Sequence, residues 1–250
     1  MPDKRSLERI AAIAAALAVW QIASMLIGNT LFLVTPWTVL KTLGVLGTSP
    51  SFWQSIAFSF FRIVLGFFLA LAAGIGLAAF AGHHRLAEVM FKPYMSVVKA
   101  TPVASFIILC LIWLDSKNLS VFISFLMVLP IVYTNVLHGL QSTDTKLLEM
   151  ANLFRVGSWR RIHYIYVPHL KPYLLSACSV SIGMSWKAGI AAEVIGIPEG
   201  SIGERLYEAK IYLSTADLFA WTVVIVVISI LFEKLFVRML KAFYSRLERA

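Results

Sequence analysis

Apolar residues run through this chain in long blocks separated by short polar stretches. Six blocks reach the roughly 20 residues that a helix needs to cross a bilayer. They lie at Ile10–Gly28, Ser55–Ala81, Met95–Leu114, Leu119–Gly139, Tyr173–Ile195 and Leu218–Val237. The pattern predicts an all-α membrane protein of about six transmembrane helices. The third and fourth blocks contain Pro102 and Pro130, which a membrane helix tolerates when neighbours satisfy the freed backbone groups. The first block follows Lys4, Arg5 and Arg9 as a signal peptide would. It is long for an h-region, passes through Trp20-Gln21 and shows no clear small-residue cleavage site, so it is read as a span. Pro36-Trp37-Thr38-Val39-Leu40 reads as a short interfacial helix anchored by Trp37.

Composition agrees with lipid as the main solvent. Of 250 residues 59% are hydrophobic and 14% charged, and the mean hydropathy is +0.81. A soluble domain carries about half apolar and about a quarter charged residues. The net charge is nevertheless +9, and its distribution is one-sided. With the N-terminus placed in the cytoplasm, 15 of the 22 Lys and Arg fall in cytoplasmic segments and 4 (Lys41, Lys117, Arg205 and Lys210) in outer ones. The positive-inside rule then puts both termini in the cytoplasm. The basic balance is thus a topology signal, and nucleic acid is not an expected partner.

Little points to chemistry within the chain. There is no phosphate-binding G-x-x-x-x-G-K-[ST] loop, no G-x-G-x-x-G, no H-E-x-x-H and no G-x-S-x-G. Cys110 and Cys178 fall inside spans and read as small apolar packers. His83-His84 reads as a solvated turn. No catalytic residue, cofactor or metal site is expected, and uphill work would draw on an ion gradient or a partner.

The longest cytoplasmic segment, 141–171, has the clearest pattern. Ser142 or Thr143 can cap a helix carrying Leu147, Met150, Ala151 and Phe154 at helical spacing. Gly157-Ser158 breaks it. Trp159 to Val167 reads as a second short helix ended by Pro168. Two such amphipathic helices suit docking onto another protein, and equally suit lying on anionic lipid.

Glu149-Met150-Ala151 followed by Ile165-Tyr166-Val167-Pro168 resembles the E-A-A-x3-G-x9-I-x-L-P signature of binding-protein-dependent ABC importer permeases. Ser59-Phe60-Phe61-Arg62-Ile63-Val64-Leu65-Gly66-Phe67, Lys99-Ala100-Thr101-Pro102, and the Trp186-Lys187-Ala188 … Ala192-Glu193-Val194-Ile195-Gly196 run are similar to the nitrate/sulfonate/taurine branch. So are Pro198 to Gly203 and Thr215 to Ala220. Met150 replaces the first alanine of the signature. Its glycine falls at Arg155, and Gly157, two residues on, is expected to make the turn with a shifted break. The resemblance implies one permease domain over 1–250 with the type I importer fold (core 55–237, coupling-helix segment 141–171, extracytoplasmic segment 196–217). It also implies a multi-pass place in the bacterial cytoplasmic membrane. The implied partners are cytoplasmic ATPase subunits holding ATP-Mg, an extracytoplasmic binding protein and a second permease copy, as a homodimer. By the resemblance Glu149, Met150, Ala151, Asn152, Phe154, Arg155 and Gly157 would couple to the ATPase, and the cargo would be a small anion such as a sulfonate, taurine or nitrate.

Charges within spans are costly and prompt functional hypotheses. Arg62, Trp186, Lys187 and Glu193 are candidates for the substrate pathway, with Arg62 and Lys187 drawing anions into its outer half. An ion pair of either cation with Glu193, or snorkelling, would explain the same residues. Lys99 reads as a snorkelling residue. Segment 196–217, with Gly196, Gly200 and Gly203, reads as a turned element before a short amphipathic helix, either a gate or docking rim or a solvated connector. A stand-alone secondary transporter or channel would show internal repeats with broken helices in both halves, and no convincing repeat is present. A membrane-embedded enzyme would need clustered catalytic residues, which are lacking.

Overall fold

The computed structural model describes residues 4–247. Arg249 lies outside them, as do the side chains of Lys4, Arg5 and Arg9. The described residues form helices and connecting turns, with no strand. In chain order these are α1 (Lys4–Ile27), α2 (Pro36–Leu46), α3 (Pro50–His83), α4 (Arg85–Ala100), α5 (Val103–Cys110), α6 (Ser116–Gln141), α7 (Thr145–Leu153), α8 (Ser158–Arg161), α9 (Val167–Gly196), α10 (Ile202–Ile211) and α11 (Thr215–Leu247). Starts are set by local chemistry. Thr35 and Ser49 accept from the backbone N–H groups of Thr38 and Phe52, with Pro36 and Pro50 at the first helical position. Asp115 caps α6 in the same way, through the N–H of Lys117.

The bundle is built on α3, α6 and α9. Ile63 and Phe67 of α3, Val128, Val132 and Val136 of α6, and Ile182 and Trp186 of α9 share one buried cluster. Lipid tails are as apolar as leucine, so helices in a bilayer associate mainly through close packing and small residues. Gly66 sits so near α6 that a Cβ there would overlap the carbonyl oxygen of Val121. A Cβ on Gly189 would come within 2.6 Å of Ile63 Cγ1 and Ser124 Oγ. Ser124 Oγ also donates to the Ser185 carbonyl across the α6–α9 seam at 3.1 Å. α11 covers α3 with Phe232 and Phe236, whose rings meet the Phe67 ring edge-on at centroid distances of 5.9 and 5.2 Å. α1 is tied to the connection that leads to α2 by Trp20 Nε1, which donates to the Val34 carbonyl at 3.0 Å.

Three helices are long and apolar enough to cross a membrane: Pro50–His83, Ser116–Gln141 and the continuous helix Ser158–Gly196. α1 carries an apolar stretch at Ala11–Ile27, and residues 218–232 of α11 contain no charged side chain. Two sequence expectations need correction. The third block is not one straight helix: α4 and α5 meet at 101°. Pro102 disfavours the helical conformation at the residue before it, and Thr101 is extended at φ −73°, ψ 128°. Nor does Pro168 end a helix. A π turn over Ile162–Tyr166, in which the Val167 N–H reaches the Ile162 carbonyl, joins α8 to α9. The chain changes register by one residue where Pro168 has no N–H to give. Trp37, by contrast, sits on α2 as an exposed ring with Lys41 Nζ 5.4 Å from its centroid.

The close α3–α6 approach is testable. Gly66→Ala is expected to lower the melting temperature of the detergent-solubilised protein, overpacking costing about 1–3 kcal/mol. Gly76→Ala, on the same helix but facing open space, is expected to leave it unchanged or raise it by the gain of a better helix former. Equal melting temperatures for the two variants would contradict this packing.

Candidate functional site

The segment after α6 forms a helix–turn–helix standing off the bundle. Asp144 caps α7 by accepting from the Lys146 N–H at 2.9 Å. At its other end the Val156 N–H reaches back to the Ala151 carbonyl at 2.9 Å and the Arg155 N–H to the Asn152 carbonyl at 3.0 Å. These two bonds make a Schellman turn, which requires a left-handed residue after the cap. That residue is Arg155, at φ +49°. Glycine is the usual occupant, since a side chain there costs roughly 1–2 kcal/mol. The expectation that Gly157 makes the turn is therefore corrected: Gly157 is extended at φ −62°, ψ 151°, and the turn stays at the signature's glycine position although an arginine fills it.

Arg161 holds this turn closed. Its Nε donates to the Val156 carbonyl at 2.7 Å, one terminal nitrogen to Asn152 Oδ1 at 2.6 Å and the other to the Ala151 carbonyl at 3.3 Å. One guanidinium thus bonds at once to the Ala151 and Val156 carbonyls and the Asn152 side chain, across the turn. Sequence reading missed this role. The available signal was an arginine shortly after a helix end, and Arg160 beside it was indistinguishable. The start of the segment is anchored separately, with Ser142 Oγ within 2.7 Å of Tyr173 Oη on α9.

The turn presents an apolar tip. Leu153, Phe154 and Trp159 are 80%, 73% and 78% exposed, with Met150 and Leu147 beside them. Glu149, Arg155, Gly157 and Arg160 surround the tip and are exposed. Ala151 is buried, and Asn152 has its side-chain oxygen occupied by Arg161. These two therefore shape the turn and leave the outward surface to Glu149, Met150, Phe154, Arg155 and Gly157.

The four candidate pathway residues do not converge. Trp186 and Glu193, seven apart on α9, are buried in the bundle, and the Trp186 ring lies 6.0 Å from Phe60. Lys187 is exposed on the other side of the helix. Arg62 is half-buried, its guanidinium 4.3 Å from the Phe58 ring centroid. Among the described residues neither cation forms an ion pair with Glu193. The carboxylate instead accepts from Ser59 Oγ at 2.6 Å and from the Gly203 N–H at 3.4 Å, while Ser59 Oγ accepts from the Ile202 N–H at 2.9 Å. Glu193 thus meets the amino end of α10, where helix N–H groups are free to bind an anion. α10 is capped by Ser201, whose Oγ accepts from the Glu204 N–H at 2.9 Å, after left-handed turns at Ile197 and Gly200. Gly203 lies so close to α9 that a Cβ would overlap the Glu193 backbone. Among the described residues no cluster of His, Cys, Asp or Glu is placed to hold a metal ion.

Residues 63–249 match the family described as the binding-protein-dependent transport system inner membrane component. A Bacillus subtilis (strain 168) protein named as an aliphatic sulfonates transport permease is 26% identical over 231 residues, 91% of this chain and 83% of that protein. The taurine transport system permease protein of Escherichia coli (strain K12) is 25% identical over 220 residues, 86% of this chain and 80% of that protein. The nitrate import permease protein of Synechococcus elongatus is 24% identical over 206 residues, 77% and 72% of the two chains. The crystal structure of an amino acid ABC transporter with histidines shares the fold with a TM-score of 0.53, over 77% of this chain and 94% of that one, at 20% identity.

Two substitutions test the turn. Arg155→Gly is expected to slow amide hydrogen exchange over 151–157, because it removes left-handed strain worth about 1 kcal/mol. Arg161→Met is expected to speed exchange there about tenfold or more, through loss of charge-assisted hydrogen bonds worth about 1.5–3 kcal/mol. Unchanged exchange in both variants would show that the turn does not depend on these residues.

Proposed function

Because this chain belongs to the binding-protein-dependent transport system inner membrane component family, we propose that it is the membrane-spanning subunit of an ATP-driven importer and docks through the α7–α8 turn onto a cytoplasmic ATPase subunit. The observation that carries this reading is the apolar tip of Leu153, Phe154 and Trp159, held out on a turn fastened by Arg161. A large apolar group left exposed on a braced turn suits a protein interface with a buried apolar centre and a charged rim. Glu149, Lys146, Arg155 and Arg160 supply that rim. ATP and Mg would be bound and hydrolysed in the partner, and this chain would provide the path and the mechanical link.

Six crossings with both termini in the cytoplasm fit the bias of Lys and Arg, and place the docking turn on the same side as the ATPase. An extracytoplasmic binding protein would deliver the cargo to the opposite side, where α10 and the Glu193 node lie, and a second copy of the permease would complete the pathway. Relatives named for sulfonates, taurine and nitrate support a small anion as cargo.

Paired substitution of Leu153 and Phe154 by Asp is expected to abolish co-purification with the ATPase subunit encoded alongside this chain, and to reduce uptake at least about a hundredfold, central apolar anchors contributing upwards of 2 kcal/mol each. Trp37→Asp, at the other end of the molecule, is expected to leave association intact. Full association of the doubly substituted permease would sink the docking assignment.

A further inference from the structure

A cleft of about 300 Å³ lies between α4 and the half of α6 nearest α7. From α4 it is lined by Glu88, Lys92, Ser96 and Lys99, and from α6 by Tyr133, Thr134 and His138. The α4 residues are spaced by four, four and three, which puts them on one helix face. Glu88 is half-buried against the cleft, while Lys92, Ser96 and Lys99 are exposed along its open side.

Three features of the cleft ask for a ligand. Lys99 Nζ reaches only the neutral Thr134 hydroxyl, at 3.3 Å. That hydroxyl already donates to the Pro130 carbonyl at 2.7 Å, so a lone pair faces Lys99 and no anion balances the lysine. Neither Lys92 nor Lys99, both exposed at the rim of the cleft, forms an ion pair among the described residues. Tyr133 is 2% exposed, and its hydroxyl has no hydrogen-bond partner. A buried donor left without an acceptor is costly. Two cations outside any ion pair and an unused hydroxyl donor form the set that recognises an oxyanion. Glu88 limits the charge: against the two lysines it leaves one net positive charge, which matches a monoanion better than a dianion.

We propose that this cleft is a binding site for a small monoanionic oxyanion, with Lys99 and Lys92 as charge partners and Tyr133 as hydrogen-bond donor. The site is separate from Arg62 and Lys187. It deepens the importer reading and rests on it for its purpose, since a cleft on the α7 side would hold the cargo as it leaves. The same chemistry would accept the phosphate of a lipid headgroup.

The test uses the full chain in nanodiscs of purely zwitterionic lipid, with radiolabelled methanesulfonate as the probe. Saturable binding is expected. Lys99→Met should weaken it about tenfold or more, and Tyr133→Phe by a smaller factor, hydrogen bonds to charged groups contributing about 1.5–3 kcal/mol. Glu88→Gln should strengthen binding, Lys187→Met should leave it unchanged, and melting temperatures should identify any variant that fails to fold. A second arm adds phosphatidylglycerol. Lys99-dependent retention of that lipid, with displacement of methanesulfonate, would support the oxyanion site and identify the headgroup as its occupant. Binding indifferent to both Lys99→Met and Tyr133→Phe, or no binding of either anion, would overturn the proposal. A chain that recruits no ATPase yet binds methanesulfonate through Lys99 would overturn the importer reading and leave this site standing.

Discussion

A bilayer has no water to offer a buried polar group, so a carboxylate, hydroxyl or helix end inside the bundle is costly unless the chain itself meets it. The Glu193 node is where this constraint organises the most structure. Its carboxylate, fully buried on α9, is reached by Ser59 from α3 and by the Gly203 N–H of α10, and Ser59 in turn takes the Ile202 N–H. Three helices are thereby fixed at one point. The node also explains why α10, a short and largely polar helix, is seated against the bundle with Gly203 flat on the α9 backbone. The wider α3–α6–α9 core follows the same rule with smaller groups: glycine, alanine and serine at the seams allow close approach, and aromatic rings of α11 close the outside.

The opposite end of the molecule solves a similar problem by different means. The carbonyls at the end of α7 are met by a Schellman turn and by the Arg161 guanidinium. The turn is thus rigid without being buried, which lets it hold Leu153, Phe154 and Trp159 away from the bundle. α8 runs without a break into α9, and the helix Ser158–Gly196 ends at the Glu193 node. One element therefore links the braced turn to the seat of α10. The π turn at Ile162–Tyr166 is its one irregular stretch, and lies next to the α7–α8 turn rather than in the middle of the bundle.

Much of this was legible in the sequence, because a membrane helix announces itself by the length of its apolar block. The cores of α3, α6 and α9 could be read that way, and the Gly157-Ser158 break came within two residues of the α7–α8 turn. Proline was harder, because its effect depends on register: Thr101-Pro102 bends the chain by 101°, while Pro168 is absorbed by a π turn. Arg155 was misjudged for a related reason. Glycine is the usual left-handed residue, so Gly157 looked like the turn, yet the hydrogen bonds of the cap fixed the place and Arg155 had to adopt it. The partners of Glu193 were also out of reach. Arg62 and Lys187 looked complementary by charge, whereas the groups that meet the carboxylate are a serine hydroxyl far away in the chain and the Gly203 N–H of the next helix, which carry no charge pattern.

Site-directed cross-linking in native membranes tests the docking turn most directly. A photoreactive residue placed at Leu153 or Trp159, in cells that express the whole transporter, should join this chain to its ATPase subunit, whereas the same residue at Trp37 should not. Cross-links from Leu153 and Trp159 to lipid alone, with the ATPase subunit present and assembled, would contradict the central claim that the braced apolar tip is the surface through which this chain meets its ATPase.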